Sequence, residues 1–363
     1  MNEMDEIREK IRETDEQIFE LIGRRLRLAR EIGDVKRVLR APLRDYTVEA
    51  QVIDRAERLC QRMGIERQTG RAIAKELIRA SIFVQSSAIP PLDGNRKRIL
   101  IVGGLGKMGK WYSHFFNVQG HEVVINDVRK EDSPFRVESD LRSAASQADV
   151  VILTTPISST APLLSVVAEA APDALIMDGC SLKTPLIPEL RRLASSGRKV
   201  TSIHPMFGPD TVMLADQNLI VCDCGNASAV QEAIDLFRDT SVSIVRMDIE
   251  RHDELMSYVL GATHALNIIM FRTLIRGGIP AEELLRCAST SFRKQMRTTV
   301  DVARENPLLY YEIQHLNRYR DRMFKYIHES LTELQSAAIS EDSNKFLELM
   351  KSGSEYFGGV SVE

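Results

Sequence analysis

The chain has 363 residues, 44% of them hydrophobic and 27% charged, and a formal net charge of −3. These values leave room for two or three cored domains and exclude a disordered or collagen-like chain. The arginine-rich first 95 residues hold 18 Lys plus Arg against 17 Asp plus Glu, so neither they nor the whole chain offers the footprint of a nucleic-acid binder. No uninterrupted apolar run reaches the roughly 18 residues of a membrane span, and the charged start Met1-Asn-Glu-Met-Asp-Glu6 does not read as a signal peptide. Cys222-x-Cys224 lacks a second pair or nearby histidines at zinc spacing. The five scattered cysteines are therefore expected to be reduced thiols of a cytoplasmic protein that binds no metal.

In the first forty positions apolar residues follow a three-four rhythm: Met4, Ile7, Ile11, Ile18, Leu21, Leu28, Ile32, Val35 and Leu39. That is a heptad seam on one long helix, of the kind that packs against partner helices. Thr14 and Arg25 interrupt it. An arginine on an apolar seam is costly unless neutralised, either by a salt bridge or by an anion bound between helices. Lys36 lies about three turns on, so both cations point to one side roughly 16 Å apart and could bracket a small dianion. Arg8 is about 100° round the helix from Arg25 and would reach such a pocket only from a second subunit. Pro42 stops this helix. Asp45 is placed to cap a second over about 46–63, with Glu49 in its first turns. A third covers about 67–86 and sets Ser81 and Gln85 on one face.

These residues resemble the all-helical chorismate mutase family, from Ile7-Arg-Glu-Lys-Ile11 through Arg24-Arg25, Lys36, Pro42-Leu-Arg-Asp45 and Glu49 to Ser81-Ile-Phe-Val-Gln85. The resemblance implies that Arg25 and a partner subunit's Arg8 hold the two carboxylates of chorismate. It implies that Lys36 and Gln85 donate to the breaking ether oxygen, and that Asp45, Glu49 and Ser81 line the rest of the site. Such a pocket suits a pericyclic rearrangement, which needs a compact conformer and cationic donors rather than a nucleophile. One departure is Val48, where many members carry an arginine.

Ser86 to Asn95, broken by two prolines and a glycine, reads as a linker. Beyond it strands are expected at about 98–103, 121–126, 149–154, 174–178, 199–203, 218–222 and 242–246. They alternate with helices, as in a doubly wound, mainly parallel α/β sheet of Rossmann type. Ile99-Leu-Ile-Val-Gly-Gly-Leu-Gly-Lys-Met-Gly109 is a strand, a glycine turn and a helix start, with Gly104, Gly106 and Gly109 in the G-x-G-x-x-G positions. Lys107 and Met108 open the helix. Asp127, ending the next strand, is placed for the ribose hydroxyls and favours NAD over NADP, although Arg129 and Lys130 leave room for a 2′-phosphate. Thr155 and Pro156 end a further strand beside the cofactor. Ser181, in Met177-Asp-Gly-Cys-Ser-Leu-Lys183, and His204, in Ile203-His-Pro-Met-Phe-Gly-Pro209, follow strand ends where such sheets place ligands.

Here the chain resembles the prephenate dehydrogenases, and the order of its parts resembles the bifunctional chorismate mutase–prephenate dehydrogenases. Glu250-Arg-His-Asp-Glu254, Gly261-Ala-Thr-His264 and Asn306-Pro-Leu-Leu-Tyr310 also have counterparts there. The resemblance implies that His204 accepts the proton of the prephenate ring hydroxyl as hydride leaves for NAD and carbon dioxide departs. Imidazole, with an ordinary pKa of about 6.5, is a competent base for that step. Ser181 would assist at the same hydroxyl and His264 would line the substrate pocket. Family members carry an arginine six residues before the proline matching Pro307, where this chain has Asp301. Arg297 is the expected replacement for the substrate carboxylate, with Arg293 behind it and Arg304 on the other side.

From about 250 the sequence is helical, over 254–276, 281–303, 307–339 and 341–357. The expected division is therefore an all-α head over 1–92, a Rossmann-type domain over 96–248 and an all-α C-terminal dimerisation domain over 249–363. The expected assembly is a homodimer. Alternatives are a prephenate or arogenate dehydrogenase with a non-catalytic head, a β-hydroxyacid dehydrogenase and a non-enzymatic NAD sensor. The His-Pro-Met-Phe-Gly-Pro segment argues against the β-hydroxyacid enzyme.

Overall fold

The computed structural model describes residues 3–39, 46–87, 96–211, 214, 217–238, 240 and 242–359. The N-terminal part is three helices, α1 (Glu3–Val38), α2 (Tyr46–Arg62) and α3 (Arg67–Ser87). α1 carries the expected seam, but the chain itself covers little of it. Ile7, Ile11, Leu21, Leu28, Ile32 and Val35 are all at least half exposed. Its C-terminal half meets α3 at Arg25 and at Gly33, where an added Cβ would lie 3.0 Å from the Cα of Gln85. Asp45 and its capping role fall outside the described residues.

The central part alternates strand and helix: β1 (Arg98–Val102), α4 (Lys107–Val118), β2 (Glu122–Asn126), β3 (Arg136–Val137), α5 (Leu141–Ala145), β4 (Val150–Leu153), α6 (Ile157–Ala170), β5 (Leu175–Asp178), α7 (Ile187–Ser195), β6 (Val200–Pro205), β7 (Asn218–Asp223), α8 (Ala227–Asp235) and β8 (Ser243–Asp248). One eight-stranded sheet results, in the order β3-β2-β1-β4-β5-β6-β7-β8. All pairs are parallel except β6–β7. β4 and β5 are buried at every position, as expected of parallel strands covered on both faces. Tyr112 and Phe116 of α4, together with Phe237 after α8, close one face over Ile99, Ile101, Ile152 and Met177. Each such side chain contributes about 1.5–3 kcal/mol by burial. The two-residue strand β3 was not expected; it is too short to show a pattern of alternation.

The remaining helices are α9 (Ile249–Met256), a π-helical turn (Ser257–Ala262), α10 (Thr263–Gly277), α11 (Ala281–Arg286), α12 (Thr290–Arg304), α13 (Pro307–Leu316), α14 (Arg320–Ile339) and α15 (Asn344–Tyr356). Two expected helices are each split. Ser289 caps α12 by accepting from the Phe292 N–H at 3.1 Å, ending the run from 281. Asn317 turns the chain between α13 and α14, its Oδ1 accepting from Tyr319 N at 2.8 Å and its Nδ2 donating to the Asp253 carbonyl at 3.0 Å. The run Ile249–Gly277 is long and apolar enough to cross a bilayer by length and composition alone. It also carries the buried polar residues His252, Asp253, His264 and Asn267.

By packing, the chain divides into two units: Met1–Ser181 with Leu186–Ile249, and Leu182–Pro185 with Glu250–Glu363. The four-residue segment Leu182–Pro185 was not expected to join the helical unit.

Candidate active sites

In the head, Arg25 leaves the α1 seam for α3. Its Nη1 donates to the Leu77 carbonyl at 2.8 Å and to Ser81 Oγ, which itself donates to Leu77 O at 2.7 Å. No carboxylate pairs with Arg25 among the described residues. Burial and the positive charge of Arg55 on α2 both lower its pKa. The cation is thus partly desolvated and, among the described residues, partnered by neutral groups. Gln85, one turn beyond Ser81, is buried, and its Oε1 has no hydrogen-bond partner among the described residues. Lys36 and Glu49 are half-buried on α1 and α2.

Arg8 stands apart, exposed, and pairs with Asp5 at 3.5 Å one turn away. Arg55 carries no mark in the sequence pattern. It lies seven residues, or two turns, after the half-exposed Val48 and so shares its helix face.

In the sheet, Gly103 has φ +81 and breaks β1 into the glycine turn. The turn admits no side chains at two of the motif positions. A Cβ at Gly104 would lie 2.5 Å from Ile125 Cγ2, and one at Gly109 only 2.3 Å from the Gly103 carbonyl. Gly106 is the N-cap of α4 and supplies no side-chain cap. The first N–H groups of α4, at Lys107, Met108 and Gly109, thus meet no capping side chain, as at helix ends that take a phosphate. Asp127 Oδ2 accepts from the Leu105 N–H at 2.9 Å and Oδ1 from the Arg129 N–H at 2.9 Å. Burial acts to raise this carboxyl, but the hydrogen bonds from Arg129 and Leu105 outweigh it and hold it below the usual carboxylate range. The Arg129 guanidinium is on Asp127 at 3.0 Å.

Register brings the remaining residues to the same edge. Val102 pairs with Leu153, Leu153 with Asp178 and Asp178 with Ser202. The chain beyond β1, β4 and β5 therefore delivers the glycine turn, Thr155 and Ser181 to their carboxyl side, at the switch point of the sheet. β6 runs on to Pro205, so His204 lies within its last residues, paired with Ile220, rather than after the strand as expected. Thr154 Oγ1 ties β4 to the turn by donating to Val102 O at 2.9 Å. Thr155 Oγ1 is 2.8 Å from Thr160 Oγ1 at the start of α6, and Pro156 is that helix's N-cap. His204 is buried and Ser181 half-buried. After His204, Trp111 of α4 anchors the outgoing loop, with Nε1 donating to Thr211 O at 2.8 Å and its ring 5.0 Å from Phe207. No pattern in the residues points to that anchor beyond the presence of one tryptophan.

In the helical unit, His264 packs against Tyr310 with ring centroids 4.1 Å apart. Its Nδ1 is buried without a hydrogen-bond partner among the described residues, and burial lowers its pKa to about 4. The π-helical turn just before it is held by Gln314 Nε2, which donates to Gly261 O at 2.8 Å. Gln295 and Thr299 of α12 face α10 through Asn267, at 2.9 and 2.7 Å. Arg297, about 200° round α12 from Gln295, and Arg293 one turn before it lie on the opposite, exposed side. Arg293 Nη2 donates to Leu285 O at 3.0 Å. Arg304 is exposed as well. The described chain thus does not bring the arginines onto the helix face that meets α10.

Three family models match in succession: chorismate mutase type II over residues 7–86, the nucleotide-binding domain of prephenate dehydrogenase over 124–246, and its dimerization domain over 248–352. The T-protein of Enterobacter agglomerans is 23% identical over 357 residues, covering 98% of this chain and 93% of that one. The chorismate mutase of Methanocaldococcus jannaschii is 30% identical over 93 residues, which are 26% of this chain and 94% of that protein. A structure of prephenate dehydrogenase from A. aeolicus, in complex with hydroxyphenyl propionate and NAD+, shares the fold. Its TM-score is 0.60 at 18% identity, and the match covers 74% of this chain and 99% of that one. The chain is accordingly a member of the chorismate mutase type II family in its head, fused to a prephenate-dehydrogenase fold in the T-protein architecture.

Proposed function

We propose that this chain rearranges chorismate to prephenate in residues 1–92 and then, in residues 96–363, oxidatively decarboxylates prephenate to 4-hydroxyphenylpyruvate with NAD. The observation that carries this reading is the presence, in one chain, of two differently built sites. One holds a half-buried cation with no carboxylate partner among the described residues. The other is a glycine turn with Ser181 just after β5 and His204 in the last residues of β6.

In the head, Arg25 binds one carboxylate of the substrate, held in place by Ser81 and Leu77 O. Lys36 and Gln85 donate to the ether oxygen as its bond to carbon breaks, while Asp45, Glu49 and Ser81 shape the pocket. No covalent step is needed; rate comes from selecting a compact conformer and meeting the developing negative charge. The exposed stripe on α1 is the surface that a second copy would cover, with that copy's Arg8 completing the site. A homodimer is further supported by the match to a dimerization domain.

The glycine turn fits a dinucleotide. Gly104 and Gly109 let the turn pack closely on β2 and on the start of α4. Lys107 to Gly109 offer N–H groups that no side chain caps among the described residues. Asp127, ionised and tied to the turn through the Leu105 N–H, is the acceptor for ribose hydroxyls. Thr155 and Pro156 border the same crevice. Bound there, NAD supplies the hydride acceptor. His204 takes the proton of the ring hydroxyl, Ser181 orients that hydroxyl, and loss of carbon dioxide aromatises the ring. His264 lines the substrate pocket as a neutral imidazole, and Arg297, with Arg293 behind it, holds the side-chain carboxylate.

The test is to give purified protein prephenate and NAD and to follow NADH at 340 nm together with 4-hydroxyphenylpyruvate by chromatography. Equimolar formation of both is expected. NADH formed without that product, or neither, overturns the assignment.

A further inference from the structure

Asp253 is a buried carboxylate with an unusual set of partners. It accepts from the Lys183 N–H at 2.9 Å, from the Thr184 N–H at 2.6 Å, from the Thr184 hydroxyl, and from His252 Nδ1 at 2.7 Å. A carboxylate only accepts, so His252 Nδ1 carries the proton in that bond. Both side chains are fully buried. Burial acts to raise the Asp253 carboxyl, yet the hydrogen bonds and charge of its neighbours hold it below the usual range, so the group is ionised. Asn317 fixes the backbone at the same point by donating to Asp253 O at 3.0 Å.

Such a buried carboxylate is poorly explained by stability alone, since burying a charge costs free energy even when it is well hydrogen-bonded. Its other partners indicate a different role. Two consecutive peptide N–H groups and one hydroxyl belong to Leu182–Pro185, the segment that starts immediately after Ser181 and packs with the helical unit. On its other side Ser181 follows Cys180, whose N–H is held by Asp178 Oδ1 at 3.0 Å. The chain is therefore held on both sides of Ser181, at Cys180 and at Lys183–Thr184.

We infer that Asp253, oriented by His252, is a positioning residue for Ser181: by fixing the Lys183–Thr184 backbone it sets the serine hydroxyl for the prephenate ring hydroxyl. This rests on the dehydrogenase reading above. A misplacement of about 1 Å at a reacting group can cost up to about 10² in rate, so removing part of the grip should be visible in turnover.

The test uses the full-length protein with prephenate and NAD. Thr184→Val keeps the shape and loses the hydroxyl, Thr184→Ser restores it, and Asp253→Asn weakens the whole grip. We expect kcat to fall about tenfold in Thr184→Val and further in Asp253→Asn, with KM for NAD and the chorismate mutase rate unchanged, and with near-normal kcat in Thr184→Ser. Adding Thr184→Val to Ser181→Ala should cost nothing more, because the two act through one group. A wild-type kcat in folded Thr184→Val, or a fully additive loss in the double variant, overturns the inference. If Asp253→Asn does not fold, the Thr184 pair and the double variant still decide. Wild-type protein inactive on prephenate would instead sink the function assigned to the site.

Discussion

Arg25 and Ser81, 56 residues apart in sequence, meet where α1 runs beside α3: the Arg25 guanidinium donates to the Ser81 hydroxyl and to the carbonyl of Leu77, one turn earlier. Neither partner carries charge, so the cation is oriented but left unneutralised, which is the condition for binding a carboxylate. Arg25→Ala is therefore expected to lower mutase kcat/KM by at least about 10²-fold. Dehydrogenase turnover of added prephenate should be spared. Loss of chorismate absorbance measures the first, and NADH formation the second.

His204 is buried just past Ser202, whose partner Asp178 ends β5. His204→Asn keeps a hydrogen-bonding group but no base. It should cut dehydrogenase kcat by about 10² or more while leaving the mutase rate intact. A wild-type kcat would remove His204 from the role of base.

Arg297 lies on the exposed side of α12, with Arg293 one turn earlier already donating to Leu285 O. Arg297→Ala is expected to raise KM for prephenate and not for NAD, by about tenfold if a charge-assisted pair is lost. An unaltered KM in steady-state assays would move the role to Arg293 or Arg304.

Gly109 packs α4 against the glycine turn with no space for a methyl group, because the obstruction is backbone at Gly103 and Gly104. Gly109→Ala should weaken NAD binding by more than about tenfold through displacement of the α4 N-terminus. The head should keep its mutase rate. A fluorescence titration with NADH reads the affinity; an unchanged Kd would contradict the fit of the turn to a dinucleotide.

His264 titrates near about 4 when folded because burial disfavours its charged form, against about 6.5 when unfolded. Between these values the unfolded chain binds the extra proton, so this group's contribution to stability is complete above about 6.5 and is lost as pH falls toward 4. His264→Gln removes that dependence. Between pH 7 and pH 4.5 the wild-type Tm should fall by at least about 2 °C more than that of the variant. Parallel Tm profiles would contradict a neutral, buried imidazole.

Much of this was legible in the residues. The glycine turn, the buried strands and the strand ends at Ser181 and His204 all follow from short-range patterns, and one chain segment is enough to read each. Arg25 was visible as a cation on an apolar seam. What was hidden depends on contacts between distant segments. The grip of Asp253 on Thr184 spans 69 residues, and Trp111 reaches Thr211 across 100. The breaks at Ser289 and Asn317 were missed because local capping bonds override an apolar rhythm that continues through them. The π-helical turn before His264 leaves no mark in the sequence, since it is held in part by Gln314 from another helix.

One measurement tests the central claim most directly: NADH formation by the purified full-length protein supplied only with chorismate and NAD, against a protein-free control for spontaneous rearrangement. Two working sites in one chain predict prompt NADH after a short lag, while prephenate accumulates, and 4-hydroxyphenylpyruvate as product. No NADH from chorismate, with normal NADH on adding prephenate, would contradict a catalytic head and leave a dehydrogenase carrying a non-catalytic helical module.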